Sequence, residues 1–369
     1  MDNDIQDSVL VDVVIAVHSP DRPIERVIAS LMVSGLPTEP EASNRLRITV
    51  VCHNTEVAPI QERVAAEHRG RVRFVEYADG IKSPAGPFNH GISLATGTWV
   101  SIMGSDDSLE PGALASWLKA ASADGADVLI APMAHAGGGP ILTPVVRRNR
   151  RTALDPVADR LSYRTAPLGL LRLAVVRSLG LDFPTRYATG EDQMFSAQLW
   201  FSGAHISYGR GLPRYLVHDD AVVRVTATPR SVTEDLAFAT DLVDSDWFST
   251  LDPSARASIV TKLVRIHVFG HVMLRAEAGS WCEQDADEMA EAARRLLFAA
   301  PQAARPLSLA DRTLLDAVAR READPVLMKS LATLRRTFTN PRTWLPRDLS
   351  QLMHLEAPLR FMSASALMS

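Results

Sequence analysis

The first readable pattern is an apolar segment at residues 11–17, rich in Val and Ile and interrupted once, by Asp12, which predicts a buried strand. It stops at His18-Ser19-Pro20. Ile24, Val27, Ile28 and Leu31 then recur at helical spacing, with Asp21 placed to cap the helix, Pro23 in its first turn and Gly35 to end it. The unit repeats. A strand at 48–51 ends in Cys52-His53-Asn54, and Val57, Ile60 and Val64 mark a helix closed by Gly70. A third strand at 72–77 ends near Asp79-Gly80, followed by a helix over roughly 88–96 and Gly97. A fourth strand at 99–103 runs into Gly104-Ser105-Asp106-Asp107; a helix at 111–123 and a strand at 127–131 come next.

Strand and helix alternate over 11–131, the signature of a mostly parallel sheet flanked by helices. Such sheets hold ligands at the carboxyl ends of their strands. That rule alone selects His18, Ser19, His53, Asn54, Asp79, Asp106 and Asp107. From 134 to 166 the pattern weakens. Gly137-Gly138-Gly139-Pro140 reads as a turn or hinge, and Arg147, Arg148, Arg150 and Arg151 form a basic cluster, read either as a solvated loop or as a loop over the site. Beyond 228 helical patterns take over, at 259–274, 287–298, 307–319 and 325–334. The expected organisation is a catalytic α/β domain over 1–225 and a helical domain over 226–369.

Composition narrows the class. The 369 residues are 46% hydrophobic and 22% charged, as in an ordinary globular protein with a full core. The 43 acids and 39 bases give a net charge of −4, without the basic excess of a general nucleic-acid binder. Cys52 and Cys282 are the two cysteines, too few for a disulfide framework, and no Cys/His spacing forms a zinc motif. The start, Met1 to Gln6, lacks the basic and apolar regions of a signal peptide. A cytoplasmic enzyme is expected.

Two acid groups carry candidate chemistry. Asp106 and Asp107 end an apolar strand, where adjacent carboxylates need a positive partner. A Mg²⁺ or Mn²⁺ ion bridging to phosphate oxygens would supply it; a helix N-cap is the alternative reading. Gly190-Glu191-Asp192 opens a helix carrying Met194, Phe195, Gln198, Leu199 and Trp200. These acids either complement the helix dipole or serve as a general base. No G-x-G-x-x-G follows the first strand, and no P-loop or G-x-S-x-G elbow exists, which sets aside dinucleotide dehydrogenases, P-loop NTPases and serine hydrolases.

Taken in order, these segments resemble the family-2 glycosyltransferases of the GT-A fold, over roughly residues 9–225. The run Val13-Val14-Ile15-Ala16-Val17-His18-Ser19 is similar to that family's nucleotide-binding opening. The stretch from Phe88-Asn89 through Gly91, Ala95 and Gly97 to Trp99-Val100 resembles its "RNxGxxxAxGxYI" run, which leads into Ser105-Asp106-Asp107. Gly190-Glu191-Asp192 resembles its "GED" motif. The sequence departs from the family at Gly104, where an acid is common, at Asn54, where strand two usually ends in an acid, and at Phe88, usually arginine.

The resemblance implies a Rossmann-like mostly parallel sheet and an inverting transfer from a nucleotide-sugar, UDP-sugar first, to an acceptor hydroxyl on a glycan or lipid-linked acceptor in bacterial surface-glycan synthesis. It implies that Asp107, with His218, holds a Mn²⁺ or Mg²⁺ ion, and that His18, Ser19, Asn54, Asp79, Asn89 and Asp106 border the donor. Asp192 is then the base, with Glu191 near the acceptor. His218 has a purely structural alternative. A nucleotidyltransferase and a non-catalytic nucleotide-sugar-binding module are the rival readings. The C-terminal region is expected to bind acceptor, mediate assembly into an oligomer or make a peripheral membrane contact; Leu334, Phe338, Trp344 and Leu345 interleaved with Arg335, Arg336, Arg342 and Arg347 read either as packing onto the catalytic domain or as an anionic-surface contact.

Overall fold

The computed structural model describes residues 9–39, 45–220 and 230–368; the polar start at Met1–Gln6 and the expected boundary near 225 lie outside them. The chain forms two compact units. One comprises Met1–Thr143, Asn149–Leu154 and Thr165–Ala227; the other comprises Pro144–Arg148, Asp155–Arg164 and Thr228–Ser369.

The first unit begins β1 (Val9–Val17), α1 (Ile24–Met32), β2 (Arg45–His53), α2 (Val57–Arg63), α3 (Ala66–Arg69), β3 (Val72–Tyr77), α4 (Ala85–Ser93) and β4 (Trp99–Gly104). It continues with β5 (Ser108–Leu109), α5 (Ala113–Asp124), β6 (Val128–Ile130), β7 (Met133–His135), β8 (Pro140–Ile141), β9 (Gly169–Arg172), α6 (Leu173–Ser178), α7 (Asp192–Trp200), β10 (Ile206–Tyr208) and β11 (Tyr215–Val217). Seven strands form one sheet in the order β10-β6-β9-β4-β1-β2-β3, and four short ones form a second, β5-β11-β7-β8. The large sheet is parallel except for β9, which runs antiparallel to both β4 and β6. This is the expected mixed α/β, mostly parallel architecture.

The apolar run of β1 explains its central place: Val11, Val13, Ile15 and Val17 are buried on one side and Val14 on the other. Ile24, Val27, Ile28 and Leu31 of α1 join the same core. Gly91 lets α4 settle directly on β1, because a Cβ there would collide with the side chain of Val14. Two local expectations change. Asp21 leaves α1 uncapped, since its N–H bonds the Ser19 hydroxyl and the helix starts after Pro23. The helix expected from Val57 to Gly70 is broken at Val64, whose ψ of 135° is extended. The expected hinge at 137–140 forms the turn between β7 and β8, which pair antiparallel.

The second unit is helical: α8 (Val232–Asp244), α9 (Asp246–Ser249), α10 (Pro253–Lys262), α11 (Phe269–Glu277), α12 (Glu283–Ala299), α13 (Leu309–Ala319), α14 (Pro325–Leu334) and α15 (Pro358–Ala366). A capping box between Ser231 and Glu234 starts α8. A π-helical turn at Leu263–Val268 joins α10 to α11. The continuous helix Pro253–Glu277 is long and apolar enough to cross a membrane by length and composition, but over half of its apolar window is buried inside the unit. Arg147 of the basic cluster is committed here, its guanidinium paired with the buried Asp159 at 2.6 Å.

Candidate functional site

The carboxyl ends of β1, β2, β3 and β4 gather most of the residues selected from sequence. After β1, the Ser19 hydroxyl closes a turn by accepting the Asp21 N–H at 3.1 Å. The turn sends Arg22 and Arg26 toward the end of β4. Arg22 Nη2 pairs with Asp106 Oδ1 at 2.7 Å, and its Nε donates to Ser105 Oγ at 3.1 Å. Arg26 donates to the Asp106 carbonyl and forms a two-pronged pair with Asp220, at 2.7 and 3.0 Å. The positive charge beside the acid pair therefore includes two arginines. Neither was selected from sequence, although Arg22 and Arg26 are four residues apart, the spacing that stacks side chains on one face of a helix. His18 is pushed toward its neutral form, first by partial burial and then by Arg22 and His53, with Asp106 acting the other way. His18 thus senses both Asp106, after β4, and the histidine that ends β2.

His53, Asn54 and Asp79 form one connected group across the ends of β2 and β3. His53 Nε2 lies 2.7 Å from Asp79 Oδ1. Asn54 adopts a left-handed φ of 54° and uses its side-chain oxygen to accept the N–H groups of Asp79 and Gly80, at 3.1 and 3.0 Å. Burial raises the Asp79 pKa, but the bonds from His53, Ile81 N–H and Asn54 outweigh it, leaving the carboxyl below its ordinary range. Its second oxygen, Oδ2, is buried with no partner among the described residues. Gly86 keeps room for that oxygen, since a Cβ there would strike it. Beside this group Tyr77 stacks on His90, with ring centroids 4.9 Å apart.

Asp107 is held from the far end of the unit. Antiparallel pairing of β11 with β5 sets Tyr215 opposite Leu109 and Leu216 opposite Ser108. Tyr215 then donates its hydroxyl to Asp107 Oδ2 at 2.6 Å, and the His218 backbone N–H donates to Oδ1 at 3.2 Å. The Tyr215 oxygen in turn accepts the Gly104 N–H at 3.0 Å. His218 Nε2 lies 2.8 Å from Ser108 Oγ. Burial, followed by the neighbouring Asp106, raises the Asp107 pKa against the two donors. Gly104 is required by this arrangement: a Cβ there would sit 2.5 Å from Asp107 Oδ2 and 3.3 Å from Asp106 Oδ1.

Gly190, at φ 80°, turns the chain into α7, with Glu191 at its N-cap and Asp192 at its first position. α7 leads into β10, which is parallel to β6. A helix feeding a parallel strand starts at the carboxyl edge of the sheet, so Glu191 and Asp192 share the edge of the other candidates. Glu191 is raised to about 7, first by burial and then by the charge of Asp192. Asn89 sits elsewhere in the network: its amide donates to the Phe183 carbonyl at 2.8 Å and accepts the Phe183 N–H at 2.9 Å. Phe183 stacks on Phe195 of α7 at 4.2 Å, so Asn89 braces the segment that delivers Gly190.

Sheet order and the acid-bearing carboxyl edge define a GT-A-type fold. Within it, residues 13–177 match the family model described as Glycosyl transferase family 2. Among solved structures, the first 349 residues of S. aureus TarS in complex with UDP-GlcNAc superpose with a TM-score of 0.71 at 16% identity, covering 89% of this chain and 92% of that one. Among curated proteins, the chain is similar to the poly(ribitol-phosphate) beta-N-acetylglucosaminyltransferase TarP of Staphylococcus aureus, 22% identical over 158 residues, which cover 42% of this chain and 48% of that protein. It is also similar to the poly(ribitol-phosphate) beta-glucosyltransferase of Bacillus spizizenii, 19% identical over 200 residues, covering 53% of this chain and 30% of the relative. A third relative, the succinoglycan biosynthesis protein ExoO of Rhizobium meliloti, is 29% identical over 118 residues, 32% of this chain and 31% of its own. The chain spans about a third to a half of the length of these curated relatives.

Proposed function

We propose that this protein is an inverting glycosyltransferase that moves a sugar from a nucleoside-diphosphate donor, a UDP-sugar first among candidates, onto an acceptor hydroxyl of a glycan or lipid-linked acceptor in cell-surface polysaccharide synthesis. The observation that carries the reading is the Asp107 carboxylate after β4, fixed by Tyr215 and the His218 N–H, next to Asp106, which Arg22 and Arg26 hold. The family match of the 13–177 segment supports it, as do the UDP-GlcNAc bound by the TarS structure and the polyribitol phosphate named for two relatives. Nucleotide-sugar donors of this kind are cytoplasmic, so the reading places the enzyme there. We assign donor binding and chemistry to 1–225, and an acceptor, assembly or membrane-proximal role to 226–369.

A divalent cation fits the donor set. Asp107 offers carboxylate oxygens with fixed orientation, and His218, whose backbone N–H donates to one of them, offers an imidazole beside Ser108. Among the described residues no group of three His, Cys, Asp or Glu side chains could hold an ion. Two protein ligands suit a cation that takes its remaining oxygens from water and substrate phosphates, as Mg²⁺ does. When bound, Mn²⁺ or Mg²⁺ would neutralise charge on the departing diphosphate.

The chain's own residues do the rest. Arg22 and Arg26 keep Asp106 in place and add positive charge beside the phosphates. Asp79, His53 and Asn54 form the wall for the base and ribose, with His18 and Ser19 lining the path between. Asp192 takes the proton of the attacking hydroxyl. Burial and then the charge of Asp192 raise the neighbouring Glu191 to about 7.

The test uses Asp192→Asn. Transfer of sugar from a UDP-sugar to a polyribitol-phosphate or glycan acceptor should fall by at least about a hundredfold, the usual worth of a general base. Calorimetric binding of the UDP-sugar should stay within a factor of about two. Turnover at the wild-type rate would overturn the base assignment, and absence of UDP-sugar binding by the wild-type protein would overturn the donor.

A further inference from the structure

We propose that the C-terminal part of the second unit, residues 325–368, is a docking surface for an anionic lipid bilayer. This inference rests on and deepens the membrane-proximal role proposed for 226–369, and its vesicle test reads binding independently of sugar transfer.

Large apolar side chains are left uncovered along this stretch. Phe338, Leu349 and Met353 are 60%, 66% and 72% exposed, and Val326, Leu359 and Leu367 are exposed too. None of the residues of α15 is buried. Its inward side is marked by Phe361, whose ring packs on Tyr163 at 4.9 Å under the Arg160 guanidinium at 5.3 Å. Leu359, Ser363, Ala366 and Leu367, at helical spacing, then line the opposite side with Arg360 beside them.

The charge on the same stretch is one-sided. It carries six bases, Lys329, Arg335, Arg336, Arg342, Arg347 and Arg360, and two acids, Asp348 and Glu356. Glu356 is buried and spent on Arg265 at 2.7 Å, and Asp348 is held by Arg305 at 3.3 Å. Arg335 and Arg347 pair with Asp311 and Asp316, whereas Lys329, Arg336, Arg342 and Arg360 make no ion pair among the described residues. The whole chain nevertheless carries −4, so the rest of it is more acidic still.

This combination selects the occupant. In a two-fold contact between copies through this stretch, its excess of positive charge would meet its own copy and repel. An anionic bilayer offers both things the strip lacks: negative headgroups for the arginines and hydrocarbon for Phe338, Leu349 and Met353. The acidic remainder of the chain is repelled by the same surface, which orients the contact.

The experiment is flotation of the full chain with vesicles of phosphatidylcholine, alone or mixed with phosphatidylglycerol. The mixed vesicles should bind it at least about tenfold more tightly, with binding weakened by salt. Leu349→Ser with Met353→Ser, and separately Arg336→Glu with Arg342→Glu, should each reduce flotation about tenfold or more, with unchanged circular-dichroism melting. The proposal is overturned if the wild-type chain stays unbound with the mixed vesicles, binds both vesicle types equally, or floats unchanged after both pairs of substitutions. It is equally overturned if light scattering shows a dimer that these substitutions dissociate.

Discussion

Tyr215 donates its hydroxyl to Asp107 at 2.6 Å, bridging 108 positions of sequence. The tyrosine oxygen also accepts the Gly104 N–H, so one buried side chain fixes both the end of β4 and the carboxylate that follows it. Tyr215→Phe keeps the ring and removes both bonds. We expect a loss of about 1–3 kcal/mol in stability, because a buried carboxylate oxygen loses its donor. On the proposed assignment of Asp107 to the cation, Mn²⁺-dependent UDP binding, measured by calorimetry, should weaken about 10–100-fold.

Gly104→Ala tests the same carboxylate from the other side. The new methyl group would stand 2.5 Å from Asp107 Oδ2, so the acid must swing away from Tyr215. UDP-sugar transfer should fall at least about tenfold, since a misplaced group near the reacting centre is costly. The far-ultraviolet spectrum should stay that of the wild type. Wild-type activity in this variant would show that the position of Asp107 is unimportant.

Glu191 makes stability depend on pH. Its folded pKa of about 7 lies above the ordinary 4.5, so the folded state holds the proton more tightly. Stability therefore falls as pH rises from about 4.5 to about 7 and levels off above that. Glu191→Gln removes the titrating group. The variant should be more stable than wild type by about 1–3 kcal/mol at pH 8 and equal to it near pH 4, read by denaturant unfolding at both values.

Asn54 combines a left-handed backbone with a side chain that clamps the loop at 79–80. Asn54→Ala loses both features and should cost about 2 kcal/mol. Asn54→Gly keeps the backbone and should recover part of that loss. Thermal melts of the two variants separate strain from hydrogen bonding. If alanine and glycine melt alike, the positive φ contributes nothing.

The alternation of strands and helices is legible because β1, β2 and β4 are dominated by apolar residues inside a covered sheet, with polar residues such as Asp12 and Arg47 as isolated interruptions. Strands β5, β7, β8, β9, β10 and β11, of two to four residues each, have no period to detect, and long-range pairing alone makes them strands. The site divides the same way. His18, Asp79, Asp106 and Asp107 follow from lying at strand ends, and Glu191 and Asp192 from opening a helix. Tyr215 resembles any buried aromatic in sequence, and only the β11–β5 register gives it a carboxylate to hold. Asn54 and Asn89 were read as donor contacts, and the structure adds backbone partners for both amides, which no local pattern encodes.

The thread from Asp107 to Tyr215 and His218 also bears on synthesis. As the chain leaves the ribosome, β1 to β4 and the acid pair emerge long before the strand that clamps them. Until β11 arrives, Asp107 has neither the tyrosine hydroxyl nor the His218 amide. The unit thus gains β1 to β4 early and the clamp on Asp107 late, so a nascent chain that stalls before residue 215 would carry that acid without either of its donors.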